Sequence, residues 1–209
     1  GKGIDNFDIE AADRNGDWSE SYIIRLFDWH LKEQETMPRL TGSLFWTFKD
    51  FSTPLRPDNP IPYVNQKGVV QRDGTPKESY YVFQSYWSSK PMLHIYGHSW
   101  PVRWGKPGEP KEILVYSNCP EVELFVNGAS VGVKKVGEEV PYVAKFDTVY
   151  APGEVKAVAH KDDETWQWVL KSAADDVELV VTAEQDSILA KTDVGYINVT
   201  VADKAGVCN

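Results

Sequence analysis

Four side chains between positions 46 and 67 could bind a small polar ligand. The indole ring of Trp46 could stack on the apolar face of a pyranose, where C–H groups meet the aromatic ring. Asp50 could accept a hydrogen bond from a hydroxyl group. The ammonium group of Lys67 and the side-chain amide of Asn65 could together bind a carboxylate. These residue types are able to hold a polar ligand if the fold brings them together.

Each of these residues also has a purely structural interpretation. Trp46 could be a core tryptophan between a strand and a helix. Asp50 could form an ion pair with Arg56 or Lys49 instead of meeting a ligand. Lys67 could serve only to fix the loop in which it lies. Residue types alone leave both interpretations open.

The charge of the chain argues against some classes of partner. The formal net charge is −9, the pI is about 5.0, and the Lys and Arg residues are scattered, which argues against a nucleic-acid partner. No apolar run approaches the roughly 20 residues of a membrane-spanning helix. The two Cys and four His residues have no metal-ligand spacing, so neither a metal nor a cofactor is predicted.

The first ninety residues have the pattern of a parallel α/β structure. Residues 17–35 predict a helix, because Asp17 can cap it together with Glu20 and apolar residues recur at helical spacing up to a stop at Pro38. The apolar run LTGSLFWTF comes next. It predicts a strand over residues 42–48 that is buried on both faces.

A long loop over residues 52–74 separates this strand from a second helix. Such a loop is too long for a simple connection and favours a functional role. In the segment TPKESYYVFQSYW, Thr75 is predicted as the N-cap, Pro76 as the first helical residue and Glu78 as the end of a capping box. The inward face of this helix is predicted to be aromatic: Tyr80, Phe83 and Trp87.

The remainder of the chain consists of short segments of alternating hydrophobicity. Between Met92 and Ala173 they predict an antiparallel sandwich, with a tight turn at Asn127–Gly128. The alternation resumes over residues 177–206, which predicts the opening strands of a second, truncated sandwich.

Two stretches resemble glycoside hydrolase family 2, the family of β-galactosidases, β-glucuronidases and β-mannosidases. FWTFKDF and NQKGVVQRDGTPKESYYVFQSYW resemble the last strand, loop and helix of the catalytic (β/α)8 TIM barrel. VYSNCPEVELFVNGASVG resembles the immunoglobulin-like domain that follows the barrel, and the tail is similar to a further sandwich. The resemblance implies a multidomain fold: the C-terminal part of the barrel at 1–90, an immunoglobulin-like β-sandwich at 91–174 and the truncated sandwich at 175–209.

The resemblance implies part of a retaining exo-β-glycosidase that hydrolyses terminal β-galactosides. Its substrate-binding residues would be Trp46, Asp50, Asn65 and Lys67. A β-glucuronidase is the first alternative, because Asn65-x-Lys67 matches the motif that binds the substrate carboxylate in those enzymes. A non-catalytic carbohydrate-binding or structural module is the second alternative.

The catalytic residues of the family are not expected in this chain. Its members place the nucleophile in a Ser-Glu-Tyr/Phe-Gly setting that does not occur here, and Glu10 and Glu20 are poor substitutes. The expected partners are a glycoside or oligosaccharide and the rest of the catalytic domain, with no cofactor, nucleic acid or membrane. The resemblance implies a periplasmic or secreted bacterial protein, and a homo-oligomer is left open.

Overall fold

The computed structural model describes residues 20–55, 57, 61–97, 105–161, 164–173 and 176–207. The described chain is mostly β-sheet with two helices. The helices are α1 (Glu20–Glu35) and α2 (Glu78–Trp87). The strands are β1 (Phe51–Ser52), β2 (Val64–Asn65), β3 (Leu93–Ile95), β4 (Pro110–Ser117), β5 (Glu121–Val126), β6 (Ala129–Lys135), β7 (Val143–Val149), β8 (Glu154–Lys161), β9 (Glu164–Lys171), β10 (Val177–Ala183) and β11 (Ile197–Asp203).

Helix α1 confirms the first predicted helix over the residues that are described. Its buried positions Ile24, Phe27 and Leu31 recur at intervals of three and four, so one face is apolar. The helix ends at Glu35, three residues before Pro38. The predicted cap, Asp17, lies outside the described residues.

Two antiparallel sheets form the central part of the chain. Strands β3, β4 and β7 make a three-stranded sheet, and β6, β5, β8 and β9 make a four-stranded sheet, in those spatial orders. The predicted turn at Asn127–Gly128 joins β5 to β6, and both residues have positive φ, 50° and 80°. That backbone geometry is the reason for Asn-Gly at a two-residue hairpin turn.

The two sheets share one hydrophobic core. Alternate residues of the paired strands point between the sheets, which places apolar side chains from both in a single cluster. The cluster contains Leu93, Ile95, Val115, Cys119, Val122, Leu124, Ala144, Phe146, Ala157 and Ala159. Burial of this apolar surface holds the three-stranded and four-stranded sheets together.

The helices pack on the three-stranded sheet through a second cluster. Ile24 and Leu31 of α1 and Val82 of α2 meet Tyr116 of β4 and Val143 of β7. Both sheet residues alternate with residues of the first core, so the helices cover the opposite face of the same sheet. The described chain is therefore layered as helices, a three-stranded sheet and a four-stranded sheet.

Strands β10 and β11 form a separate antiparallel hairpin. They pair over their full length, from Val177 opposite Asp203 to Ala183 opposite Ile197. Leu179 faces Val201 across the ladder. Every residue of β10 is at least partly exposed, and in β11 only Ala202 and Asp203 are buried. The predicted alternation is present in this hairpin.

The predicted buried strand over residues 42–48 is wrong in this structure. The segment has no strand pairing within the described residues, and Leu44, Trp46 and Phe48 are exposed. The half-buried Phe45 packs inward, with its ring centroid 4.3 Å from that of Phe27. The apolar run indicated burial, but no described element covers its outer side. An apolar run indicates a tendency to be buried, but it does not indicate which element covers it.

The predicted capping box at the start of α2 is also wrong. The N-cap is Lys77, whose side chain makes no capping hydrogen bond, and the helix begins at Glu78. Thr75 lies instead in a turn, where its N–H donates to Asp73 Oδ1 at 2.9 Å. The predicted aromatic inward face is not the most buried one, since Trp87 is 62% exposed. The buried residues of α2 are Glu78, Ser79, Val82 and Ser85.

Glu78 connects α2 to its neighbours instead of capping the helix. Its carboxylate hydrogen-bonds His94 Nε2 at 2.8 Å and accepts from Gly97 N at 2.8 Å, and both side chains are 0% exposed. Its own N–H donates to Glu20 Oε2 at 3.0 Å. The ring of His94 also stacks on Tyr81 at 3.7 Å. One residue thus joins α1, α2 and β3.

Neither helix of the described residues has the length and apolar composition that would let it span a bilayer.

Replacing Glu78 with Ala should loosen the attachment of α2 to β3. The substitution leaves His94 Nε2 and Gly97 N buried without their acceptor, which costs roughly 3 kcal/mol. Hydrogen–deuterium exchange should show faster exchange in β3 and at Gly97. Glu121→Ala, which removes an exposed carboxylate from β5, is the control and should change exchange there little. Equal exchange in both variants would contradict this role of Glu78.

Candidate functional site

The backbone brings the four predicted site residues together. Residues 47–50 run beside residues 67–70: Thr47 N donates to Lys67 O at 3.4 Å, and Asp50 N donates to Val70 O at 3.0 Å. Strand β1 pairs antiparallel with β2, so Phe51 lies opposite Asn65. Residues 46, 50, 65 and 67 consequently lie on two adjoining segments, although they are up to 21 positions apart in sequence.

Trp46 lies at the exposed side of this arrangement. It is 67% exposed, and its ring meets that of Phe51 edge-on with centroids 5.9 Å apart. The peptide bond between Trp46 and Thr47 is cis. The indole therefore presents most of its surface outward, which is the condition for stacking on a ligand, and it is not a core tryptophan within the described residues.

Asp50 is buried and makes several polar contacts. Lys77 Nζ lies 2.9 Å from Oδ1 and 2.7 Å from Oδ2, and both side chains are less than 10% exposed. Gly68 N also donates to Oδ1 at 2.8 Å. The ion pair that the sequence analysis offered as an alternative therefore exists, but its cation is Lys77. Lys49 is exposed, and Arg56 lies outside the described residues.

Asn65 and Lys67 differ in exposure and in function within the loop. Asn65 is 7% exposed, and its side-chain Oδ1 accepts from Lys67 N at 3.1 Å. This Asx-type contact shapes the backbone of the loop and leaves the amide NH₂ as a donor. Lys67 itself is exposed. The pair thus consists of one buried residue that shapes the loop and one exposed cation.

Two ionisable side chains near the site, Asp73 and Tyr81, have pKa values that their surroundings shift. Hydrogen bonds from Thr75 hold the pKa of the Asp73 carboxyl below its usual range, so the turn before α2 carries a negative charge. Burial raises the pKa of Tyr81, next to His94, and the nearby Glu78 adds to the effect. Tyr81 is therefore a neutral phenol throughout the physiological range.

Sequence reasoning missed Lys77, which holds Asp50. The residue was assigned to a capping sequence, where a lysine side chain has no specific partner. The signal in the sequence was a pair of adjacent charged residues, Lys77 and Glu78, at the start of a helix. The structure shows that both are buried. The partner of Lys77 lies 27 positions away, so spacing could not reveal the pair.

The described residues contain no group of three or more His, Cys, Asp or Glu side chains arranged to hold a metal ion. His94 is a buried histidine whose Nε2 is hydrogen-bonded to Glu78 Oε2. Glu20 is occupied at the start of α2, where it accepts from Glu78 N.

Comparison with known proteins identifies relatives over much of the chain. A family model described as a domain of unknown function (DUF4982) matches residues 108–167, which run from just before β4 into β9. A putative β-glucuronidase of Formosa agariphila is 56% identical over 128 residues, which cover 61% of this chain and 16% of the relative. The β-galactosidase BoGH2A of Bacteroides ovatus is 31% identical over 175 residues, 80% of this chain and 19% of the relative.

A solved structure extends the match to the full chain. The apo form of β-glucuronidase 3 from Bacteroides uniformis is 63% identical and superimposes with a TM-score of 0.73, over 100% of this chain and 27% of that chain. This chain is a relative of the glycoside hydrolase family 2 enzymes. The resemblance read from its sequence motifs is therefore confirmed.

The match to family 2 concerns only the C-terminal part of its members. The chain spans 16% and 19% of the length of the two curated relatives and 27% of the solved chain. The matching domain of unknown function is a C-terminal domain of family 2 proteins. These relatives are named as glycoside hydrolases, two as β-glucuronidases and one as a β-galactosidase.

Replacing Gly68 with Ala should displace the loop that carries Lys67. A Cβ at this position would lie 2.6 Å from Asp50 Oδ1 and 2.6 Å from Val70 O, and the latter is a backbone atom that cannot rotate away. We expect a destabilisation of roughly 1–3 kcal/mol. Hydrogen exchange of the amides at positions 68–70 measures it. Gly42→Ala is the matched control, because a Cβ there meets nothing within 4 Å, and comparable exchange in both variants would refute the close packing.

Proposed function

We propose that this chain forms one wall of the sugar pocket of a retaining exo-β-glycosidase, and that the whole protein hydrolyses terminal β-glucuronides. The observation that carries the proposal is Lys67, an exposed cation on a loop whose backbone is tied to the segment that follows the exposed Trp46. An exposed ammonium group on a loop with a fixed backbone suits a sugar carboxylate, and the flat indole of Trp46 on the adjoining segment suits the face of a pyranose.

The proposed architecture follows the family. Residues 1–90 would complete a (β/α)8 barrel, whose active site lies at the C-terminal ends of its strands and in the loops that follow. The parallel bridge between Lys49 and Val70 and the packing of α1 against α2 support a barrel end. The two sheets within 91–174 would be an immunoglobulin-like sandwich, and the β10–β11 hairpin within 175–209 would begin another.

The chemistry needs groups that the described residues do not bring together. Retaining hydrolysis requires two carboxyl groups about 5–5.5 Å apart, one as nucleophile and one as acid/base. The one carboxylate among the four site residues, Asp50, is buried in an ion pair with Lys77. The chain would therefore bind and orient the sugar, while the catalytic pair comes from the rest of the catalytic domain.

The glucuronide replaces the galactoside that the sequence analysis placed first. Lys67 and Asn65 adjoin Trp46 through backbone pairing, which favours a substrate that carries a carboxylate. Two relatives named β-glucuronidases, at 63% and 56% identity, are also more similar to this chain than the β-galactosidase BoGH2A, at 31%. The β-galactosidase relative remains the reason to test galactosides as the second candidate.

Replacing Lys67 with Met should separate the two substrates. A charge-assisted hydrogen bond contributes about 1.5–3 kcal/mol, so kcat/KM for p-nitrophenyl β-glucuronide should fall roughly 10- to 100-fold. The kcat/KM for p-nitrophenyl β-galactoside should change less than about threefold, because that sugar has no carboxylate. The assay uses the full-length protein.

Lys90→Met, an exposed lysine beyond α2, is the control for the loss of one positive charge. A parallel loss on both sugars would reject carboxylate recognition by Lys67. Efficient galactoside hydrolysis with no glucuronide turnover by the unmodified protein would favour the second candidate.

A further inference from the structure

Four backbone polar groups in and beside residue Lys67 have hydrogen-bond partners. Lys67 N donates to Asn65 Oδ1, and Lys67 O accepts from Thr47 N at 3.4 Å. The carbonyl before it, Gln66 O, accepts from Lys77 Nζ at 3.1 Å. The amide after it, Gly68 N, donates to Asp50 Oδ1. An exposed loop residue is thus held at four points.

Two of these four contacts end on a single ion pair. Lys77 holds the peptide group on one side of Lys67, and Asp50 holds the peptide group on the other side. The two side chains bond each other at 2.7 Å between these contacts. Together they form a buried bracket around the backbone of the exposed Lys67.

Stability alone does not account for this pair. Burying two charges carries a desolvation cost, and an apolar pair of similar volume is often as stable or more so. An apolar pair, however, offers neither a donor to Gln66 O nor an acceptor to Gly68 N. Among the described residues, the side-chain hydrogen bonds that Asp50 and Lys77 add beyond their mutual contact go to the loop around Lys67.

The geometry also bears on Asp50 as a direct sugar ligand. Its side chain is 8% exposed, both oxygens lie within hydrogen-bond distance of Lys77, and one also accepts from Gly68. A sugar hydroxyl would have to displace one of these contacts. The arrangement therefore favours an indirect role, in which Asp50 holds the loop around Lys67 and does not bind the sugar itself.

We propose that Asp50 and Lys77 are positioning residues for Lys67, and that they set the preference for a carboxylate-bearing sugar without touching it. The inference rests on the proposed function, since it needs Lys67 to bind the carboxylate. Loss of the bracket would let the loop shift, and a displacement of about 1 Å can cost up to about 100-fold in rate.

A double-mutant cycle on the full-length protein tests this. Lys77→Met, Lys67→Met and the double variant are assayed with p-nitrophenyl β-glucuronide, with Lys90→Met as the control. Lys77→Met should raise KM about 10-fold or more with a smaller change in kcat, because a ground-state binding contact is lost. In the Lys67→Met background the same change should have almost no further effect, because Lys77 acts through Lys67.

Additive losses in the cycle would overturn the positioning role and leave the proposed function intact. Unchanged glucuronide kinetics in Lys67→Met would overturn the proposed function itself. Hydrogen exchange gives a readout that does not depend on turnover: the Gly68 amide should exchange faster in Lys77→Met and not in Lys67→Met. Equal protection in both variants would overturn the bracket.

A second variant covers the case in which Lys77→Met does not fold because Asp50 is left as an unpaired buried charge. Asp50→Asn with Lys77→Met removes both charges at once and avoids that penalty. It should show the same KM increase on the glucuronide and the same faster exchange at Gly68. A folded double variant with unmodified glucuronide KM would overturn the proposal.

Discussion

Two adjacent buried charges at the start of α2 determine how the parts of this chain meet. Lys77 and Glu78 are 7% and 0% exposed, and burial makes their partners obligatory, because an unpaired charge in this position costs several kcal/mol. Lys77 reaches Asp50 and the loop, whereas Glu78 reaches His94 on β3. The start of one short helix therefore fixes the loop at residues 66–68 on one side and the antiparallel sheets on the other.

The apolar clusters and the buried charges contribute in different ways. The cluster between the sheets and the cluster under the helices exclude water from a large area, and that term is strong but not directional. Hydrogen bonds to Glu78 and Lys77 are directional, so they define where along β3 and the loop the helix sits. Apolar burial thus holds the layers together, and the buried charges set their alignment.

Local signals explain which parts of the fold were predictable. The Asn127–Gly128 turn and the alternating strands depend on neighbours in sequence, so the antiparallel region could be read directly. The course of residues 42–48 depends on what covers them, and an apolar run contains no such information. The prediction of a capping box at the start of α2 was wrong for a related reason. The Glu78 side chain hydrogen-bonds His94, 16 positions away, and does not cap its own helix.

The same distinction applies to the site. Trp46, Asn65 and Lys67 were named from residue type and family resemblance, and backbone pairing places them on adjoining segments. Lys77 was missed, because a single sequence does not reveal an ion pair across 27 positions. The contacts that hold the loop at Lys67 use backbone atoms of residues 66–68. The side chain at position 67 can therefore be exchanged while every one of these backbone contacts stays intact.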